Sequence, residues 1–176
     1  MNTNARWSPV TLVLHFIIAS AVVIQLATSQ LWHYTHVLFI VHEISGAVAF
    51  VCLIVFLLCK IFKGSLQNCF PWTYGAGWKQ ITNDIAWIIK LRLPERNGGG
   101  LPGVIQGLGL LLILLMAILG GLWFLGKNEY FGLTSYTHFF GHWHSNFATF
   151  VWIYIIGHAA MAVVHWILPK RFKVEL

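Results

Sequence analysis

Long apolar runs alternate with short polar segments along the chain, and their lengths predict the main structural elements. Four runs reach or approach the roughly 20 residues that a bilayer-spanning helix needs, and they occupy about residues 10–29, 37–62, 101–125 and 145–168. In the longest connection, residues 64–100, isoleucines recur at helical spacing beside lysines, which favours an amphipathic helix on the membrane surface. The pattern therefore predicts a single all-α membrane domain over residues 1–176, a bundle of four transmembrane helices.

Composition agrees with a membrane environment. Of the residues, 58% are hydrophobic and 9% are charged, and the mean hydropathy is +0.74. A soluble domain carries about 25% charged residues. The first apolar run is longer than the roughly 7–15-residue core of a secretory signal peptide, and Arg6 is the single cation before it, so we expect a retained helix.

The distribution of cations predicts the orientation in the membrane. If the N-terminus is cytoplasmic, the outer loops contain one cation, Lys127. The inner segments then contain the others, which are Arg6, Lys60, Lys63, Lys79, Lys90, Arg92, Arg96, Lys170, Arg171 and Lys173. This positive-inside bias predicts that both termini are cytoplasmic. Topology accounts for the net charge of +6, so no nucleic-acid partner is needed to explain it.

Nine histidines provide the candidate chemistry, and helical spacing separates two of them from a close neighbour. His144 and His158 are 14 residues apart, which places them within roughly 40° of one face and about 21 Å apart along a helix. His142 points about 160° away from His158. Ionisable groups within a membrane helix are rare and usually functional. We therefore expect His144 and His158 to bind a ligand at two depths, with His142 on the opposite face.

Each of these two histidines has a partner at a matching depth. His15 lies in the inner half of the first predicted helix, and His42 lies near the outer start of the second. Topology thus pairs His15 with His158 and His42 with His144. One neutral imidazole from each of two helices is a common way to clamp a b-type haem in a bundle, whereas zinc takes three or four ligands. The sequence predicts two non-covalent b haems with these four histidines as axial iron ligands.

Small residues near the four histidines support this interpretation. The residue four positions after each ligand is Ala19, Gly46, Ala148 or Ala162, which leaves room for a macrocycle against the helix. The third predicted helix contains several glycines and no histidine, so we expect it to provide close packing. No Cys-x-x-Cys-His motif occurs in the sequence, which excludes covalent c-type haem attachment.

Three segments resemble the bacterial cytochrome b561 family, which is related to the cytochrome b subunits of nickel–iron hydrogenases. They are "LVLHFII", "IVHEISGA" and "WHSNFATFVWIYIIGHAAMAVVHW". The resemblance covers nearly the whole chain, and it implies a bacterial inner-membrane protein with two b haems, ligated by His15, His42, His144 and His158. It also implies electron exchange with the quinone pool. In the inner half of the second helix, where we expect arginine from the resemblance, the chain has Phe56, Lys60 and Lys63.

The predicted function is electron transfer across the membrane to or from quinone. Some members of the family oxidise superoxide at the outer face. If the chain resembles these members in activity, it is a superoxide:quinone oxidoreductase. Others are non-catalytic membrane subunits that connect a partner redox enzyme to quinone, and this is the alternative function. A haem-free transporter is a third class, and it predicts that the purified protein has no Soret band.

Further histidines and one lysine are candidates for contacts with substrates. His165 and Lys60 could hydrogen-bond a quinone at the inner side, although a histidine snorkelling to the interface explains His165 equally well. Four histidines fall in or beside the predicted outer loops: His33, His36, His138 and His142. They could bind haem propionates, guide protons or form a basic mouth for an anionic donor such as superoxide. Ordinary interfacial polarity explains them equally well.

Overall fold

The computed structural model describes residues 8–31, 34–90 and 99–167, apart from the side chains of residues 165 and 166. The α-helices in these residues are α1 (Pro9–Leu31), α2 (His36–Phe62), α3 (Gly75–Ile89), α4 (Gly100–Lys127) and α5 (Thr137–Ile167). Short 3-10 turns occur at Leu66–Cys69, Pro71–Thr73 and Tyr130–Tyr136.

Four of the helices are long and apolar enough to cross a membrane, which confirms the predicted number of spans among the described residues. They are α1, α2, α4 and the region Tyr130–Val164, which contains most of α5. Large apolar side chains such as Phe16, Val51 and Ile153 are exposed on their surfaces. An apolar surface of this kind is suited to lipid, which offers no hydrogen-bond partners.

The fourth span begins earlier than the apolar pattern predicts. α5 starts at Thr137, whereas the apolar run starts at about residue 145. The extra turns are rich in aromatic and histidine side chains, which lower the hydropathy without interrupting backbone hydrogen bonding. His138 and His142 therefore lie within a helix, and His36 is the first residue of α2.

Side-chain caps explain where the first two spans begin. Ser8 precedes Pro9, and the Ser8 hydroxyl accepts a hydrogen bond from the Thr11 amide at 3.3 Å. Serine before proline is a favoured start, because the serine accepts from an unpaired amide and proline has none to lose. At α2, Thr35 accepts from the Leu38 amide in the same way, at 3.4 Å.

The described residues form two compact units. The larger contains those within 8–59 and 111–153, and the smaller contains those within 60–110 and 154–167. The larger unit has a core drawn from four helices, whose buried apolar residues are Ala21, Val22, Leu26, Ala49, Leu53, Phe56, Leu119 and Val151. Phe56, at one of the positions where we expected arginine, is 2% exposed and belongs to this core.

In the smaller unit, the chain after α2 packs its backbone against glycines of α4. A β-carbon at Gly103 would overlap the carbonyl of Asn68, and one at Gly107 would overlap the carbonyl of Cys69. The two glycines are four residues apart, so they lie on one face of the helix. The glycines of the third span thus allow close packing here, and Cys69 in the packed segment is fully buried.

α3 is the amphipathic helix favoured by the isoleucine pattern. Ile81 is buried, while Trp78 and Ile89 are exposed. The Asp84 carboxylate accepts a hydrogen bond from the Leu101 amide at 2.7 Å, in the first turn of α4. A carboxylate at this position satisfies an unpaired amide and complements the positive end of the helix dipole.

Candidate functional site

His42 and His144 face each other in the larger unit. His42 is on α2 and His144 is on α5, and their ring centroids are 6.2 Å apart with the planes at 87°. A metal–imidazole bond of about 2 Å, added to a ring radius of about 1 Å on each side, requires a centroid separation of about 6 Å. The spacing would therefore allow both rings to hold one metal ion between them.

Backbone carbonyls determine which nitrogen of each ring is available to a metal. His42 Nδ1 lies 3.1 Å from the Gln25 carbonyl oxygen and 3.3 Å from Thr28 Oγ1, and His144 Nδ1 lies 3.0 Å from the Met116 carbonyl oxygen. A carbonyl can only accept, so each Nδ1 carries the proton and donates. Each Nε2 then keeps its lone pair, which is the arrangement found when a neighbouring hydrogen-bond acceptor orients a metal-ligating histidine.

The two rings line a large, mainly apolar cavity. Its volume is about 1600 Å³, and its walls come from α1, α2, α4 and α5. Pockets for drug-sized ligands measure roughly 300–1,000 Å³. Gly46 and Ala148, the small residues one turn after the two histidines, are both in the wall. The donor set, the cavity size and its apolar wall all fit a flat macrocycle such as haem.

Glycines allow the helices to approach closely around the site. A β-carbon at Gly120 would come within 2.9 Å of His144 Cε1, so α4 can pass beside this ring only without a side chain there. A β-carbon at Gly46 would come within 2.6 Å of Gln25 Nε2. Gly46 therefore has a second role besides leaving space near His42, because it accommodates a side chain of α1.

A lysine lies at the rim of the same cavity. Lys127 Nζ is 4.1 Å from the centroid of the Phe39 ring and 5.0 Å from that of Trp123, and all three residues line the cavity. His36 is also in the lining. The sequence pattern marks Lys127 only as a topology signal. Its pairing with an aromatic residue of α2 depends on the tertiary fold and leaves no trace in the local sequence.

Two further histidines near the start of α5, His138 and His142, contact each other and do not line the cavity. His142 is exposed, its Nε2 accepts a hydrogen bond from the Asn146 amide at 2.9 Å, and its ring stacks on that of His138 at 6.4 Å. These contacts agree with the predicted position of His142 on the opposite face from the ligands. His33 lies outside the described residues.

The second predicted pair has one member in each unit. His15 is half-buried in the larger unit, with its ring 6.0 Å from that of Phe16. His158 belongs to the smaller unit, where it stacks on Tyr154 at 5.5 Å and 17°. A β-carbon at Gly109 would overlap the Tyr154 ring, so α4 and α5 approach closely there. The pairing of His15 with His158 stays a prediction.

The predicted quinone contacts are described only in part. Lys60 lies in the last turn of α2 and acts electrostatically on Cys69. Burial raises the pKa of the Cys69 thiol, and the charge of Lys60 partly opposes this rise. His165 is within α5, but its side chain lies outside the described residues. The role of both residues toward quinone stays a prediction.

Among the described residues, no group of three or more His, Cys, Asp or Glu side chains could hold a metal ion together. The site consists instead of two opposed imidazoles in an apolar cavity within membrane-length helices. These features fit an integral membrane cytochrome of the b type.

Comparison with known families identifies the class more closely. Residues 6–175 match the family model described as prokaryotic cytochrome b561, so the chain belongs to this family. No curated protein and no solved structure matches the chain. Membership confirms the resemblance of the three histidine-containing segments, and it identifies the chain as a membrane b-type cytochrome that acts in electron transfer.

Proposed function

We propose that the chain binds two b haems at different depths and transfers electrons between them across the inner membrane, to or from the quinone pool. The observation that carries the proposal is the opposed pair of His42 and His144, with both Nδ1 atoms hydrogen-bonded to backbone carbonyls. We call the haem assigned to this pair the outer haem. The haem assigned to His15 and His158 is the inner haem.

The protein's own residues would hold each haem and tune its chemistry. A bound haem supplies an iron centre that cycles between the ferric and ferrous states. The hydrogen bonds to Gln25 and Met116 fix the histidine tautomers and increase the basicity of the ligating nitrogens. The apolar wall limits the access of water, which influences the reduction potential.

The inner haem rests on topology, helical spacing and family membership. His158 stands one turn after Tyr154, and the stacking of the two rings restricts the orientation of the imidazole. A haem at this depth would lie on the side of the membrane that contains most of the cations, where Lys60 and His165 would be the candidates to contact a quinone. The donor at the outer side would be superoxide or a redox protein.

A second candidate function is that of a non-catalytic membrane subunit. Outside the four spans, the described residues form α3 and short connecting turns. This small extramembrane portion favours a chain that connects a partner's active site to quinone. The haems and their ligands would be the same, so the two functions differ in the identity of the electron donor.

Electron delivery to the purified protein in nanodiscs tests the proposal. We expect an added quinol to reduce both haems under anaerobic conditions, and Lys60→Gln to slow this step while Lys79→Gln, on the exposed side of α3, leaves it unchanged. If quinol fails to reduce either haem, the quinone assignment is wrong.

Reduction of the haems by superoxide distinguishes the two candidate functions. For the oxidase, stopped flow should show fast haem reduction that slows with salt, because the Debye length falls from about 10 Å at 0.1 M to about 3 Å at 1 M. Reduction by quinol but not by superoxide would favour the membrane subunit.

A further inference from the structure

The Lys127 ammonium has a defined position at the rim of the cavity between His42 and His144. It lies over two aromatic rings, at 4.1 Å from the centroid of Phe39 and 5.0 Å from that of Trp123. The negative face of an aromatic ring attracts an ammonium at such distances. The lysine is exposed, yet these contacts favour positions near the cavity over the many others that its flexible side chain could adopt.

The aromatic support is itself built from several helices. Phe39 of α2 and Trp123 of α4 meet edge to face, with centroids 5.8 Å apart. Gly141 of α5 allows this arrangement, because a β-carbon there would come within 2.8 Å of Trp123 Cδ1. The position of the ammonium therefore depends on three helices that also form the walls of the cavity.

The charge of the cavity wall indicates what this cation could bind. Among the described lining residues, the side chains with a formal charge at neutral pH, with histidine counted as neutral, are Lys127 and Glu43; His36, His42, His144 and Tyr34 are further ionisable groups. A b haem carries two propionate carboxylates. An apolar wall cannot compensate these charges, whereas an ammonium at the rim can form a charge-assisted hydrogen bond with a carboxylate.

We propose that Lys127 binds a propionate carboxylate of the outer haem and that Phe39 and Trp123 hold the lysine in position. The proposal rests on the proposed assignment of that haem to His42 and His144. A fixed positive charge near the iron stabilises the ferrous state relative to the ferric state, because reduction lowers the charge of the haem by one unit. Lys127 thus both retains the outer haem and raises its reduction potential.

Redox titration and haem transfer to apomyoglobin test this role in the purified full-length protein. Lys127→Gln should lower one of two midpoint potentials and release one of two haems about tenfold faster, which corresponds to about 1.4 kcal/mol. Lys127→Arg should restore both quantities, since it keeps the charge. Lys79→Gln on α3 is the matched control and should behave as wild type in both measurements.

Phe39→Leu provides an independent variant, because it keeps the lysine and removes one supporting ring. It should shift the same potential in the same direction by a smaller amount. Wild-type potentials and transfer rates in both Lys127→Gln and Phe39→Leu would overturn the inference, as would a Lys127→Arg variant that resembles Lys127→Gln. A change confined to the rate of reduction by an anionic donor would assign Lys127 to donor binding and also overturn it. If the wild-type protein has fewer than two haems, the proposed function fails before any variant is compared.

Discussion

Gly120 and Gly121 are adjacent residues of α4 that both line the cavity but differ in what surrounds them. A β-carbon at Gly120 meets the His144 ring at 2.9 Å, whereas one at Gly121 meets nothing within 4 Å beyond its chain neighbours and the adjoining backbone of its own helix. An alanine at either position removes a similar small volume from the cavity. Only the alanine at position 120 displaces the imidazole or the helix that carries it.

Gly120→Ala should therefore impair the outer haem, and Gly121→Ala should retain it. Displacement of the ring costs about 1–3 kcal/mol, the usual penalty for overpacking, and it disturbs the hydrogen bond from His144 to Met116. Haem content and the reduced-minus-oxidised spectrum measure the effect. Equal retention of the outer haem in both variants would show that the contact at Gly120 does not position His144.

At the scale of single residues, the sequence identifies candidate ligands but does not reveal their supporting groups. The sequence gives the spacing of His144, His158 and His142. Helix geometry then predicts the helix face on which each of them lies. The acceptors at Gln25 and Met116 are backbone carbonyls, and any residue type supplies one. Their role depends on the proximity of neighbouring helices and therefore appears only in the structure.

At the scale of elements, α4 acts as a surface on which other segments pack. Its glycines accommodate the backbone of the segment after α2, the Tyr154 ring and the His144 ring at successive positions. The apolar pattern predicts the length of this helix well, from about 101–125 to the observed Gly100–Lys127. The partner of each glycine could not be predicted, because a glycine in an apolar helix indicates close approach without indicating what approaches.

The segment after α2 packs on Gly107 of α4. This packing predicts that the Cys69 thiol reacts slowly. In a Cys52→Ser/Cys59→Ser background, maleimide labelling of Cys69 should be slow near neutral pH. Burial blocks access and also raises the thiol pKa, so the thiolate fraction is small and grows only at a higher pH than for an ordinary cysteine.

Gly107→Ala should accelerate the labelling, because a β-carbon there overlaps the Cys69 carbonyl. The denatured protein provides the reference rate for a fully accessible thiol. If native Cys69 reacts as fast as it does in denaturant, the packing of this segment on α4 is wrong.

At the scale of the whole molecule, hydropathy and family membership both indicate a multi-pass membrane protein, and family membership makes it a cytochrome. The apolar runs predict four spans, and the described residues contain four helices of suitable length and composition. The start of α5 at Thr137 was not predictable from hydropathy, since its first turns are polar and aromatic. The number of haems depends on whether the four histidines act as two pairs, which must be measured.

The most direct measurement is the haem content per chain of the purified wild type and of single histidine variants, determined by the pyridine–haem assay. We predict two haems in the wild type and about one in each of His15→Ala, His42→Ala, His144→Ala and His158→Ala. His142→Ala should keep two, because its ring is exposed and bonded to Asn146. A wild-type content of one haem or none would contradict the account, and so would loss of a haem in His142→Ala with full retention in His144→Ala.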